Sequence, residues 1–221
     1  MDLEDIIYRV TKVKVSSDEY KAKQELIKNY ARLNKVPVAA ITNLTKLGVV
    51  LDEVITQNKF DTVAIRCWIE LQQQLGISPC VLMSLLNNQG MPAACEVDIG
   101  SAVSMFALQQ ASGNVTACLD WNNNYAADEN KCILFHCGPV PQTMMKDTGQ
   151  VTDHIILKNA VGPGKSYGPN TGRIKPLPFT FANLLTRAGK LKFYAGEARF
   201  TDDEVPAEFF GCAGVAEINN L

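Results

Sequence analysis

Near Gly113 the chain changes rhythm, and that change limits the fold more than any other feature. Before it, helical and strand-like segments alternate. Ser17 or Ser16 caps a helix over residues 18–33, with acids in its first turn and Leu26, Ile27, Tyr30 and Leu33 on one face. Pro37 suits the first turn of a second helix, whose Val38, Ile41, Leu44, Leu51 and Val54 form a buried stripe. Residues 61–67 (DTVAIRC) read as a near-continuous apolar strand of the kind found inside parallel sheets. Ser78-Pro79 starts a helix ending near residues 87–90; a strand follows at 91–95, then a helix from Asp98 to about Ala111, closed by Gly113. Alternation of this kind predicts an α/β unit with parallel strands over residues 1–113. After Gly113 short strands follow one another at 115–119, 131–136, 154–160, 173–179, 191–195 and 209–216, between Gly, Pro, Asn and Asp. Residues 161–172 (VGPGKSYGPNTG) read as a loop. Residues 114–221 are therefore expected to be all-β, an antiparallel sandwich or barrel. Two clear parallel strands make a thin sheet, so both halves read as parts of a longer protein.

Composition excludes several classes. A net charge of −2 with interspersed signs gives no footprint for nucleic acid. The apolar runs are too short to span a bilayer, and MDLEDIIYRV has acids where a signal peptide needs bases. Seven cysteines is an odd count without a C-x-x-C pair, and most sit in apolar runs. That usage predicts reduced, buried thiols and a cytoplasmic location.

The chemistry gathers between Gly90 and Gly138. Three short apolar runs there end in Glu96, Asp120 and His136. A carboxylate at a strand end costs several kcal/mol unless partners or a metal compensate. Two carboxylates with one imidazole suit Mn²⁺ better than Ca²⁺, and a carboxylate pair can shuttle a proton beside a carbonyl. Each residue also has a plain structural reading. Glu96 sits near the N-terminus of the next helix, although Asp98 is better placed to cap it. Asp120 precedes an Asn-rich turn at 122–124, and His136 precedes Gly138-Pro139. Cys137 beside His136 resembles a nucleophile pair, but neighbours on a strand face opposite ways.

RCWIELQ (66–72), GMPAACEVD (90–98) and FHCGPVP (135–141) together closely resemble the L-fucose isomerase / L-arabinose isomerase superfamily, nearest its L-fucose isomerase-related branch. The resemblance runs from about Tyr30 to Leu221. It implies a Rossmann-like α/β domain leading into an antiparallel β-barrel-like domain, and a metal-dependent aldose–ketose isomerase working through a cis-enediol. Glu96 and Asp120 match the family's acidic ligands, which bind Mn²⁺ (with Mg²⁺ or Co²⁺ as substitutes) and act as acid and base. His136 matches a metal or substrate histidine of some branches. The resemblance also implies a sugar substrate and a homo-oligomer. Arg66 and Trp68, at a strand end, are candidate sugar contacts, with Trp68 stacking or simply packing in the core; Glu70 stands beside them. Asn122 is a candidate hydroxyl donor, and Lys165 a candidate for an anionic group. Full-length members carry a further domain before the position of Met1 and a histidine-bearing segment beyond that of Leu221. His154 reads as structural, opening a barrel strand. The alternative function is a non-catalytic remnant or structural subunit that keeps the fold without turnover.

Overall fold

The computed structural model describes residues 2–218; the expected chain end at 219–221 lies outside the described residues. Three helices open the chain. They are α1 (Leu3–Lys12), capped by Asp2, α2 (Asp18–Tyr30), capped by Ser17, and α3 (Val38–Asn58), entered through Pro37. Ile6, Val10, Ile27, Leu44, Leu47 and Val50 bury one continuous face. Val38, expected in that stripe, is exposed at the helix entrance. Helices α4 (Glu70–Leu75) and α5 (Cys80–Asn88) complete the cluster through Leu71, Val81, Leu82 and Leu85.

The expected parallel pair is present but short: β1 (Val63–Ala64) lies parallel to β2 (Ala93–Ala94). Val63 N–H donates to the Pro92 carbonyl and Ile65 N–H to that of Ala94, each at 2.9 Å. Helix α6 (Ile99–Ser112) follows as expected. Asp98 accepts the Ser101 N–H at 2.9 Å, and Gly113 ends the helix in the left-handed region at φ 68°.

The second half is mainly antiparallel. Its strands are β3 (Asp120–Tyr125), β4 (Asp128–His136), β5 (Gln150–Asp153), β6 (Tyr167–Arg173), β7 (Leu177–Arg187), β8 (Lys190–Phe200) and β9 (Cys212–Glu217). They run in the order β3-β4-β9-β6-β5, and the β7–β8 hairpin joins β9 through β8. β6 and β9 pair in parallel. Among the described residues no pairing closes this sheet into a barrel.

Three local expectations change. Residues 115–119 are irregular, and the strand begins at Asp120, taking in the asparagines expected as a turn. Pairing with β4 satisfies that polar backbone, whatever the side chains prefer. Residues 154–160 form a turn and a short helix, α7 (Leu157–Val161), because Leu157 alone of the Ile155-Ile156-Leu157 run finds a core. Part of the expected Gly/Pro loop is β6. There a Cβ on Gly168 would stand 1.7 Å from the Ser78 carbonyl oxygen, so the glycine admits the strand against α5.

The two halves interlock. Val151 of β5 packs in the helical cluster. Tyr30 Oη donates to the Ser84 carbonyl and accepts the Gln142 N–H, both at 2.9 Å, while Asn170 of β6 donates to Ser84 Oγ at 3.2 Å. Among the described residues no helix is long and apolar enough to cross a membrane.

Candidate functional site

Glu96 stands two residues past β2, where the chain must reverse to let Asp98 cap α6. The turn closes with Asp98 N–H donating to the Cys95 carbonyl at 3.0 Å. It holds Glu96 at φ 61° and Val97 at φ 59°. Two adjacent non-glycine residues in the left-handed region carry real strain, worst for β-branched valine, and such strain gathers at functional sites.

Asp120 arrives by strand register. It pairs opposite Phe135 in the β3–β4 ladder, which sets it beside the strand end that carries His136. His136 closes β4 opposite Cys212. Glu96, Asp120 and His136 all face one cavity of about 220 Å³, together with Trp68, Cys137 and His154. Arg66 is exposed and pairs with Glu70 at 2.6 Å, away from the cavity. Asn122 lies exposed on β3, and neither it nor Lys165 lines the cavity.

The cavity is anionic. Among the described residues neither Glu96 nor Asp120 forms a salt bridge, and no lysine or arginine lines the space. Burial, then the charge of Asp98, raises the Asp120 carboxyl above its ordinary range. Burial lowers His136, against the pull of Glu96. The His136 Nδ1 accepts the Cys137 N–H at 2.8 Å, so in the neutral ring Nε2 carries the proton. Strand alternation breaks here: β4 ends at His136, and the Cys137 sulfur lies 3.3 Å from Nδ1, on the same side rather than the opposite face expected for strand neighbours. The thiol stays protonated, since its hydrogen bond to Cys80, and then burial, push it well up.

His154 was expected to open a barrel strand. It sits instead between β5 and α7, buried, with its ring on the cavity. Its Nδ1 accepts the N–H groups of Ile156 and Leu157 at 3.3 and 3.4 Å, leaving Nε2 protonated. Burial, then repulsion from His136, lowers it to about 4. The chain has two histidines, and that scarcity was the available signal.

Glu96 and Asp120 are both exposed to solvent, so water offsets the cost expected for strand-end carboxylates; as oxygen donors on one cavity they still match a hard divalent cation in charge and donor type. They supply oxygen ligands; His136, as placed, offers an N–H rather than a lone pair. Among the described residues the group whose ligand atoms all lie within 4.8 Å of one another is Cys95, His136 and Cys137.

No protein-family model matches the chain. A 134-residue stretch is 24% identical to the sulfoquinovose isomerase of Priestia aryabhattai, covering 61% of this chain and 30% of that protein. Sulfoquinovose isomerase of Alkalicoccus urumqiensis is 24% identical over 136 residues, 62% of this chain and 31% of its own length. That of Clostridium sp. (strain MSTE9) is 28% identical over 138 residues, again 62% and 30%. The likeness supports a sugar-isomerase family. The chain thus spans less than a third of the length of these relatives.

Proposed function

We propose that this chain carries the carboxylate part of an aldose–ketose isomerase site of the L-fucose/L-arabinose isomerase kind, an intramolecular oxidoreductase. One observation carries the reading: Glu96 and Asp120, brought in by different elements, face the same cavity without a cationic partner among the described residues. Similarity to proteins named sulfoquinovose isomerase supports it and makes a sulfoquinovose-like aldose the first substrate to test.

In the proposed reaction one carboxylate removes the proton from C2 of the open-chain aldose. The C1 carbonyl oxygen gains a proton, giving the enediol. The enediol O2 then loses its proton as C1 takes one up, and the ketose forms with no net change in atoms or electrons. Asp120, whose carboxyl burial and then the charge of Asp98 hold above its ordinary range, is assigned as the group that carries the proton to the carbonyl oxygen, and Glu96 as the group that takes the proton from C2. His136 and His154 present neutral N–H groups to the substrate oxygens, which stabilise a developing oxyanion without first needing to lose charge. Glu96 and Asp120 would hold a Mn²⁺, Mg²⁺ or Co²⁺ ion, which would supply Lewis-acid polarisation of the substrate carbonyl. The working enzyme is read as a cytoplasmic homo-oligomer.

The test is a Mn²⁺ titration followed by thermal melting. A cation bound only by the native state at about 100 times its Kd adds about 2.7 kcal/mol, and Glu96→Gln should abolish that response. Exchange of the sugar C2 hydrogen with deuterated water reads the proton transfer directly. A wild-type chain with neither response would leave the non-catalytic alternative.

A further inference from the structure

In the wall of the same cavity lies a cysteine cluster that the isomerisation does not use. Four of the seven cysteines converge there from four segments: Cys67 follows β1, Cys80 opens α5, Cys95 follows β2 and Cys137 follows β4. All four are free thiols, and Cys67, Cys80 and Cys95 are buried. The Cys80 and Cys137 sulfurs are 3.7 Å apart. The Cys95 sulfur lies within 4.8 Å of that of Cys137. Into this row of sulfurs projects the unprotonated Nδ1 of His136, 3.3 Å from the Cys137 sulfur.

Those separations resemble the edges of a coordination tetrahedron. Zinc–sulfur bonds of about 2.3 Å and zinc–nitrogen bonds of about 2.0 Å place neighbouring ligand atoms roughly 3.5–3.8 Å apart. The Cys80–Cys137 edge matches, and the His136–Cys137 edge falls a few tenths short. Cys95, His136 and Cys137 already lie within 4.8 Å of one another, whereas Cys80 stands outside that trio and touches it only through Cys137, so binding must draw the start of α5 inward to complete the set. Thiolate and imidazole together select soft or borderline cations, whereas carboxylates select hard ones. Two adjoining donor sets of opposite softness can therefore hold two different ions.

We propose that Cys80, Cys95, Cys137 and His136 Nδ1 form a Zn²⁺ site adjoining the carboxylate cavity. Binding forms three Zn–S bonds and one Zn–N bond and releases three thiol protons to solvent. His136 keeps its proton on Nε2, toward the cavity, and Nδ1 gives up the Cys137 N–H. The ion would tie together the ends of β2 and β4 and the start of α5, and so fix the segment that carries Glu96. Cys67 sits outside the tetrahedron.

The experiment loads the reduced full chain with Co²⁺ as a spectroscopic probe and with Zn²⁺ in competition. The expected result is thiolate-to-cobalt charge-transfer absorption in the near ultraviolet, displaced by Zn²⁺. It should be lost in Cys95→Ser and Cys137→Ser and retained in Cys118→Ser, Cys132→Ser and Glu96→Gln. Retention in Glu96→Gln separates this site from the proposed hard-cation site, whose Mn²⁺ response that variant removes. Alkylation with mass spectrometry, on the wild-type chain, keeps the test valid if a serine variant does not fold: Zn²⁺ should protect Cys137, the partly exposed thiol of the set, and leave the similarly accessible Cys118 unprotected. Absence of the sulfur band, its survival in both serine variants, equal alkylation with and without Zn²⁺, or isolation of the chain with a Cys80–Cys137 disulfide would each overturn the proposal.

Discussion

Asn87 offers a sharp test of how the site is held. β2 pairs with β1 on one edge, and on the other edge Asn87 stands in for a missing third strand. Its Oδ1 accepts the Ala93 N–H at 2.7 Å, and its Nδ2 donates to the Pro139 carbonyl at 2.9 Å and the Ala93 carbonyl at 3.2 Å. Ala93 lies three residues before Glu96, and Pro139 three after His136. One amide thus fastens both approaches to the cavity, at 1% exposure. Asn87→Ala removes three hydrogen bonds and strands a buried N–H and carbonyls. At about 1–3 kcal/mol for each of the three buried groups left unpaired, the loss should be roughly 3–9 kcal/mol. For a chain of this size the smaller figure corresponds to a melting point lower by roughly 6–12 °C. Asn87→Asp should cost at least as much, since it turns a second acceptor toward two carbonyls. Urea melts of both variants, with Asn88→Ala as a less buried neighbour, provide the assay. A loss below about 1 kcal/mol for Asn87→Ala would refute the role given to this amide.

Other predictions concern strain, packing and acid. Val97→Gly should stabilise the chain by about 1 kcal/mol, because valine at φ 59° is strained and glycine is not; urea melts would show a loss instead if the turn carries no strain. Gly168→Ala should cost more than about 4 kcal/mol, since its Cβ would meet the Ser78 carbonyl at 1.7 Å, and circular dichroism should show little folded protein. His154 titrates near 4 when folded and near 6.5 when free, so between those values the unfolded chain holds more protons and stability falls as pH drops. The loss from this group is at most about 3 kcal/mol, and pH-dependent melting of His154→Gln should lack it. Asp120 acts in the other direction: its raised pKa means stability that falls as pH rises through its titration. Asp120→Asn should therefore steepen the acid loss, as well as remove any response to Mn²⁺.

Legibility followed whether a local signal agreed with its surroundings. Ser17, Asp98 and Gly113 mark helix ends through short-range hydrogen bonds and backbone preference, and each appears where the sequence puts it. The run Asp120–Tyr125 was unreadable as a strand because its stability comes from β4, not from its own side chains. β6 was hidden for the same reason: Gly168 signals a turn in isolation but permits close approach to Ser78 in the fold. Glu96, Asp120 and His136, singled out because each follows an apolar run, do line one cavity. His154 was missed because its apolar neighbours Ile155 and Ile156 suggest a strand, yet both are exposed. The geometry of His136 and Cys137 was misjudged because strand alternation was extended one residue past the point where β4 stops.

Val151 in the helical cluster has a consequence for how the protein is made. The helices α1 to α5 leave the ribosome with their shared face still open, and the residue that seals it comes about 65 positions after Leu85. At a translation rate of about 5–20 residues per second, that interval lasts roughly 3–13 s. During it an apolar surface waits for a partner not yet synthesised, and the Tyr30 hydroxyl waits for the Gln142 N–H. Slower elongation between these points lengthens the exposure, so the yield of soluble chain should fall as synthesis slows there.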